Sequence, residues 1–157
     1  MHSASGHGRY AIQLEDQTLP MRCRHLDGKT LVAEIEMIGK IKAAVDAGRS
    51  ADALIVAHTD AVVVEGLSAA LDRGGAPSEA GADILFVEAL WGADDMSATF
   101  ATLGGRLMLE NTVEGEKTLV LPAAQLQKIG YSVVIYPGRV DARAPRTTRN
   151  EDLLARL

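Results

Sequence analysis

Five short apolar runs recur along the chain, each rich in Ile, Val and Leu and each stopped by a polar or turn-forming residue: Ala11–Leu14, Ala53–Ala57, Ile84–Val87, Arg106–Leu109 and Ser132–Tyr136. Both faces of these runs are apolar. That pattern belongs to parallel strands covered by helices, because an antiparallel sheet with one wet side would alternate apolar and polar residues. Helical periodicity fills the gaps. Ile35, Ile38, Ile41 and Val45 share one face, as do Val63, Leu67 and Leu71, while Met96, Phe100 and Leu103 follow Asp94, a candidate cap. Pro122 opens a shorter helix through Leu126 and Ile129, which Gly130 closes. The predicted order is strand, helix, strand, helix throughout.

With 157 residues, 47% of them apolar, the chain can bury one sizeable core. The β/α rhythm occupies residues 11–140. Residues 1–10, with His2 and His7 among Ser and Gly, read as a solvated, disordered leader, and 141–157 as a divergent tail ending in a short helix with Leu153, Leu154 and Leu157 on one side. Within the β/α region, Arg73-Gly74-Gly75-Ala76-Pro77 is expected to interrupt a helix, since glycine and proline are both costly in helix interiors.

Acids and bases are interspersed, with a net charge of −5, so there is no basic face for nucleic acid and no polybasic stretch for a membrane surface. No apolar run approaches the ~20 residues of a bilayer span, and the first residues lack the apolar core of a signal peptide. A cytoplasmic location is expected. Cys23 is the only cysteine, which excludes an internal disulfide and fits a reducing compartment.

Strand–helix alternation is compatible with a doubly wound sheet or with a (β/α)8 barrel. Polar groups gather at the C-terminal ends of the strands: Glu15 and Asp16, His58 and Asp60, Glu88, then Glu110 and Asn111. In a barrel that end carries the active site. A nucleotide-binding doubly wound sheet would want a glycine-rich turn after its first strand, where Glu15-Asp16-Gln17 stands instead. The barrel is therefore favoured.

Cys23 sits in a long polar loop, flanked by Arg22, Arg24 and His25. Such positive surroundings favour a thiolate and suit an acid–base role, whereas a lone cysteine is ordinarily a small buried apolar side chain; spacing leaves both open. The segment Glu15-Asp16-Gln17, followed by the loop with Arg22-Cys23-Arg24-His25, is similar to the signature of the isocitrate lyase and phosphoenolpyruvate mutase superfamily. In that signature a strand ends in Glu-Asp-Gln and the following loop reads Lys-Arg-Cys-Gly-His. The match continues through Glu36-Met37, Lys40-Ile41, Ala43-Ala44-Val45-Asp46-Ala47, Thr59-Asp60-Ala61, Val64-Glu65-Gly66-Leu67, Glu79-Ala80-Gly81-Ala82-Asp83, Phe86-Val87-Glu88-Ala89, Asn111, Val113-Glu114-Gly115 and Tyr136-Pro137-Gly138. It is nearest to the methylisocitrate lyase and carboxyphosphonoenolpyruvate phosphonomutase branch.

The resemblance implies a partial (β/α)8 barrel whose five strands correspond to strands 4–8. It also implies a Mg²⁺-dependent carbon–carbon lyase that cleaves a 2-hydroxy or 2-oxo di- or tricarboxylate through an enolate to give a pyruvate-type product. Phosphonomutase and oxaloacetate-cleaving activities belong to the same superfamily. Carried over position by position, Cys23 is the catalytic residue that protonates the departing carbanion. Glu15 supports the metal through ordered water, His25 and Asn111 contact substrate carboxylate, and Glu88 orders the site. His58 stands where the family has an arginine that grips the pyruvate carboxylate.

Three departures are expected to alter substrate binding. Met21 occupies the place of a loop lysine, Arg24 that of a glycine, and His58 lacks arginine's fixed charge and bidentate fork. The resemblance further implies that the Mg²⁺ site is incomplete here, because the family's directly ligating aspartate belongs to strands before the fourth, and a full barrel takes about 250 residues. An inactive partial barrel, acting as a partner subunit or surviving as a gene remnant, is the alternative. An open parallel sheet invites association, and the family's tetramers point to a homo-oligomer under either reading.

Overall fold

The computed structural model describes residues 10–21, 28–47, 53–112 and 121–136. Strands β1 (Tyr10–Glu15), β2 (Ala53–Thr59), β3 (Ile84–Val87), β4 (Leu107–Asn111) and β5 (Val133–Ile135) alternate with helices α1 (Glu34–Asp46), α2 (Ala61–Glu65), α3 (Leu67–Glu79), α4 (Ala93–Leu103) and α5 (Ala123–Ile129). All neighbouring strands pair in parallel, in the order β1-β2-β3-β4-β5, and the sheet curls into a half-barrel. Sequence order equals spatial order, as expected when each helix carries the chain forward to the next strand on one face.

Strand pleat sorts the residues into two layers. Ile55, Ala57, Leu85, Val87 and Met108 join Met37, Ile41, Ala70, Met96, Leu103 and Leu126 in the main core between sheet and helices. Val56, Ile84, Phe86 and Leu109 form a second cluster on the opposite, inner face. That double burial is why the strands read as continuous apolar runs rather than alternating ones. At the C-terminal ends the same parity sends Glu15, His58, Glu88 and Asn111 inward, and Asp16 and Glu110 toward the helices.

Four local expectations are corrected. The helix through Arg73–Pro77 is not interrupted: α3 runs unbroken with Pro77 inside it. Gly74 and Pro77 are buried there, and Gly74 lies so close to Leu103 that a Cβ would stand 2.8 Å from its Cδ1. Burial in the core thus offsets a local cost of about 1 kcal/mol for the glycine and about 3 for the proline. Val63, Leu67 and Leu71 do not share one helix, because Gly66, at φ 90°, divides α2 from α3 and leaves Val63 42% exposed. Gly92, not Asp94, is the N-cap of α4, and it is Asp95 whose carboxylate accepts from the Trp91 amide at 3.1 Å. Ile35 faces outward at 74% exposure; Met37 and Ile41 carry the buried face of α1. Among the described residues no helix is long and apolar enough to cross a membrane.

Candidate active site

Parallel pairing of β1 with β2 places Glu15 directly beside His58, and pairing of β2 with β3 places His58 beside Phe86. The imidazole stacks on the Phe86 ring, with centroids 4.3 Å apart and planes 19° from parallel. From below, the Gln13 amide meets Nδ1 at 3.0 Å. The ring is thereby held edge-on to a group of carboxylates: Nδ1 is 3.7 Å from Glu15 Oε2, and Nε2 is 3.8 Å from Asp60 Oδ2 and 3.5 Å from Glu88 Oε2. His58 is buried, and its Nε2 has no hydrogen-bond partner among the described residues.

Asp60 follows the last residue of β2 and is itself fully buried. It is placed by Asp16 on the outer face, whose carboxylate accepts from the Asp60 amide at 3.0 Å and from the Thr59 hydroxyl at 2.6 Å. Arg73 reaches the same carboxylate at 3.5 Å and the Val32 carbonyl at 2.8 Å, tying α3 to the ends of β1 and β2. Asp16 is therefore a structural anchor that orients Asp60 toward the inner face. On that face Lys29 donates to Asp60 Oδ1 in a buried ion pair, and the Gln17 amide bridges Asp60 Oδ2 at 2.7 Å and Glu15 Oε1.

Crowding shifts both carboxyls. Burial raises the Glu15 pKa, and hydrogen bonding to Asp60 raises it further, against the attraction of His58. Burial also opposes ionisation of Asp60, but hydrogen bonds from Glu15, Lys29 and Gln17 outweigh it and hold that pKa below the ordinary aspartate value.

Glu88 directly follows β3 and is buried, with its amide donating to the Thr59 carbonyl at 3.0 Å. The next residue, Ala89, takes a left-handed φ of 64°, uncommon for a non-glycine residue and a mark of local strain beside the site. Asn111 lies half-buried at the end of β4, in register with Ile135 of β5. Cys23 and His25 lie outside the described residues, although both flanks of their loop are fixed. The Thr18 amide donates to the Thr30 carbonyl and the Val32 amide to the Asp16 carbonyl, each at 2.8 Å, around a bridge between Gln17 and Leu31. The loop thus leaves and rejoins the sheet beside Glu15 and Asp60. Sequence reasoning singled out Glu15, His58, Glu88 and Asn111; it gave no role to Gln13, Gln17, Lys29 or Asp60. Asp60 was signalled by its position directly after a strand and by the Thr59-Asp60-Ala61 match.

A family model described as Phosphoenolpyruvate phosphomutase matches residues 2–151. The chain belongs to that family. Among curated relatives of this phosphoenolpyruvate phosphomutase family member, 2,3-dimethylmalate lyase of Eubacterium barkeri is 46% identical over 130 residues, spanning 83% of this chain and 45% of the relative. The 2-methylisocitrate lyase of Aeropyrum pernix is 45% identical over 130 residues, 83% of this chain and 41% of its own. Crystallised 2,3-dimethylmalate lyase superposes with a TM-score of 0.76 at 33% identity, covering 81% of this chain and 43% of that one. Oxaloacetate acetylhydrolase, solved with the inhibitor 3,3-difluorooxalacetate, gives 0.76 at 30% identity over 80% of this chain and 43% of that one. The chain spans less than half the length of these relatives.

Glu15, His58 and Asp60 present one ligand atom each, all within 4.8 Å of one another. This set fits a divalent cation: two carboxylates supply charge and an imidazole nitrogen supplies a lone pair. It is not the all-oxygen shell that Mg²⁺ prefers.

Proposed function

We propose that this chain provides the catalytic half of a carbon–carbon lyase that cleaves a 2-hydroxy or 2-oxo di- or tricarboxylate to a pyruvate-type product. The observation that carries the reading is the convergence of Glu15, His58, Glu88 and Asn111 on the inner face, at the C-terminal ends of consecutive parallel strands. Relatives named 2,3-dimethylmalate lyase and 2-methylisocitrate lyase support it. In this reading Glu15 and its neighbours hold a divalent cation, Mg²⁺ by family expectation. When bound, the cation supplies positive charge at the oxygens on which electrons collect as the bond breaks.

The chain's own groups do the rest. Asn111 and His25 bind the substrate's carboxylates. Glu88, buried against the stacked His58, keeps the site's hydrogen bonds in place. The Cys23 thiol gives its proton to the carbanion carbon of the departing acid, and Arg22, Arg24 and His25 favour the thiolate that remains. The test is release of pyruvate from 2,3-dimethylmalate and methylisocitrate, or of oxalate from oxaloacetate and water, with and without divalent cation, beside a Cys23→Ser control. Cation-dependent release that the substitution abolishes supports the lyase. His58 in the place of the carboxylate-gripping arginine favours a second reading, an inactive partial barrel that serves as a partner subunit, and absence of release from a folded sample would establish it over the first.

A further inference from the structure

We propose that Glu15, His58 and Asp60 form a site selective for an imidazole-accepting transition-metal dication, of the Fe²⁺, Co²⁺ or Zn²⁺ class, over Mg²⁺. The inference rests on the divalent-cation reading of the same site and specifies which cation the chain itself selects.

Three observations carry it. The first is the donor set, two carboxylates and one imidazole whose ligand atoms lie within 4.8 Å of one another. Nitrogen donors suit Fe²⁺, Co²⁺ and Zn²⁺, whereas Mg²⁺ takes oxygen and parts reluctantly with its water. The second is the state of the imidazole. His58 is 6% exposed, its Nε2 has no hydrogen-bond partner among the described residues, and that nitrogen lies 3.8 Å from Asp60 Oδ2 and 3.5 Å from Glu88 Oε2. A buried nitrogen left unpaired costs free energy, and a metal is one partner that would satisfy it.

The third observation is support around the ring. Phe86 stacks on one face and the Gln13 amide contacts Nδ1 at 3.0 Å. Ligating histidines are generally oriented in this way, through a contact at the nitrogen that does not bind metal. Turning the Gln13 amide end for end makes Nδ1–H the donor to its oxygen and leaves the Nε2 lone pair for the ion. Charge agrees. Glu15 and Asp60 both place carboxylate oxygens within 4 Å of the ring nitrogens, where they would face a bound dication. The same carboxylates make His58 a poor direct receptor for an anionic substrate.

The experiment is Co²⁺ and Zn²⁺ binding to the whole metal-free chain, in a His2→Gln, His7→Gln background that removes the leader's imidazoles. It is read by bound-metal analysis after dialysis and by the visible spectrum of Co²⁺. One equivalent should bind, roughly a hundredfold more tightly than Mg²⁺. His58→Gln should abolish that preference while His25→Gln leaves it intact. Should the His58 variant fail to fold, X-ray absorption of the Zn²⁺-loaded parent decides, with an oxygen and imidazole shell expected and a sulfur shell contrary. Co²⁺ bound no more tightly than Mg²⁺, or a site lost with His25 rather than His58, overturns the inference and leaves the divalent-cation reading standing. Failure to bind any dication removes both.

Discussion

Lys29 and Asp60 form a buried ion pair that joins the end of the polar loop after β1 to the C-terminal end of β2. Neither side chain is more than 4% exposed, so the carboxylate has no water to replace a lost partner. Lys29→Met is expected to destabilise the chain by about 3 kcal/mol, since removing one member of a buried pair strands the other charge. A lowered urea midpoint with unchanged slope is the readout; an unchanged midpoint would show that Gln17 alone can hold Asp60.

Glycines divide into positions that need glycine and positions that merely tolerate it. Gly130 has a φ of 127°, and a Cβ there would lie 2.8 Å from the Phe100 ring, which packs edge-on against Tyr131. Gly130→Ala should therefore cost on the order of 2 kcal/mol through strain and displaced packing. Gly74 is helical, and its added Cβ would meet the Leu103 side chain, most closely at the end methyl Cδ1. Gly74→Ala should lie within about 1 kcal/mol of neutral, because helix propensity gains roughly what repacking loses. Thermal unfolding of the two variants side by side checks the contrast.

The five strands were legible because burial on both faces writes an uninterrupted apolar run, and their polar ends were legible as punctuation. Parity was not. Glu15 and Asp16 are adjacent and equally acidic, and only the main core's inclusion of Leu14 and Ala57 shows that Asp16 turns to the helices and Glu15 to the inner face. The His58 cluster was hidden because its contacts depend on strand register: Glu15 and Gln13 come from a strand more than forty residues earlier. Asp60 offered no periodic signal, since a carboxylate after a strand is usually solvated and here is buried by its partners. Pro77 misled for the opposite reason, its local helix penalty being real and outweighed by packing that no window of sequence displays.

Cys23→Ser tests the lyase directly. A positioned general acid contributes about 10²–10⁴-fold to rate, so kcat for carbon–carbon cleavage should fall by at least about a hundredfold. Substrate affinity should change little, because serine preserves size and polarity. A loss confined to KM would instead assign Cys23 to binding. Asn111→Ala is the complement: losing a hydrogen bond to a charged carboxylate costs about 1.5–3 kcal/mol, which predicts a KM raised by at least about tenfold with kcat much less affected.

The shifted carboxyls predict opposite pH dependences in the metal-free chain. Glu15 has its pKa raised from 4.5, first by burial and then by its hydrogen bond to Asp60. The folded state therefore holds this proton more tightly than the unfolded chain, and the resulting stability is complete below the ordinary glutamate pKa and lost as pH rises through the raised one. Asp60 has its pKa lowered from 3.8 because the hydrogen bonds from Glu15, Lys29 and Gln17 overcome burial, so its contribution is present above that value and lost as pH falls through the lowered one. Glu15→Gln keeps the neutral form's hydrogen bonding at every pH. With chelator present, the variant should match wild type below pH 4.5 and exceed it in stability at pH 8. Urea unfolding at both values is the measurement, and a variant less stable than wild type at pH 8 would mean that the Glu15 carboxylate is held there by a cation partner stronger than His58.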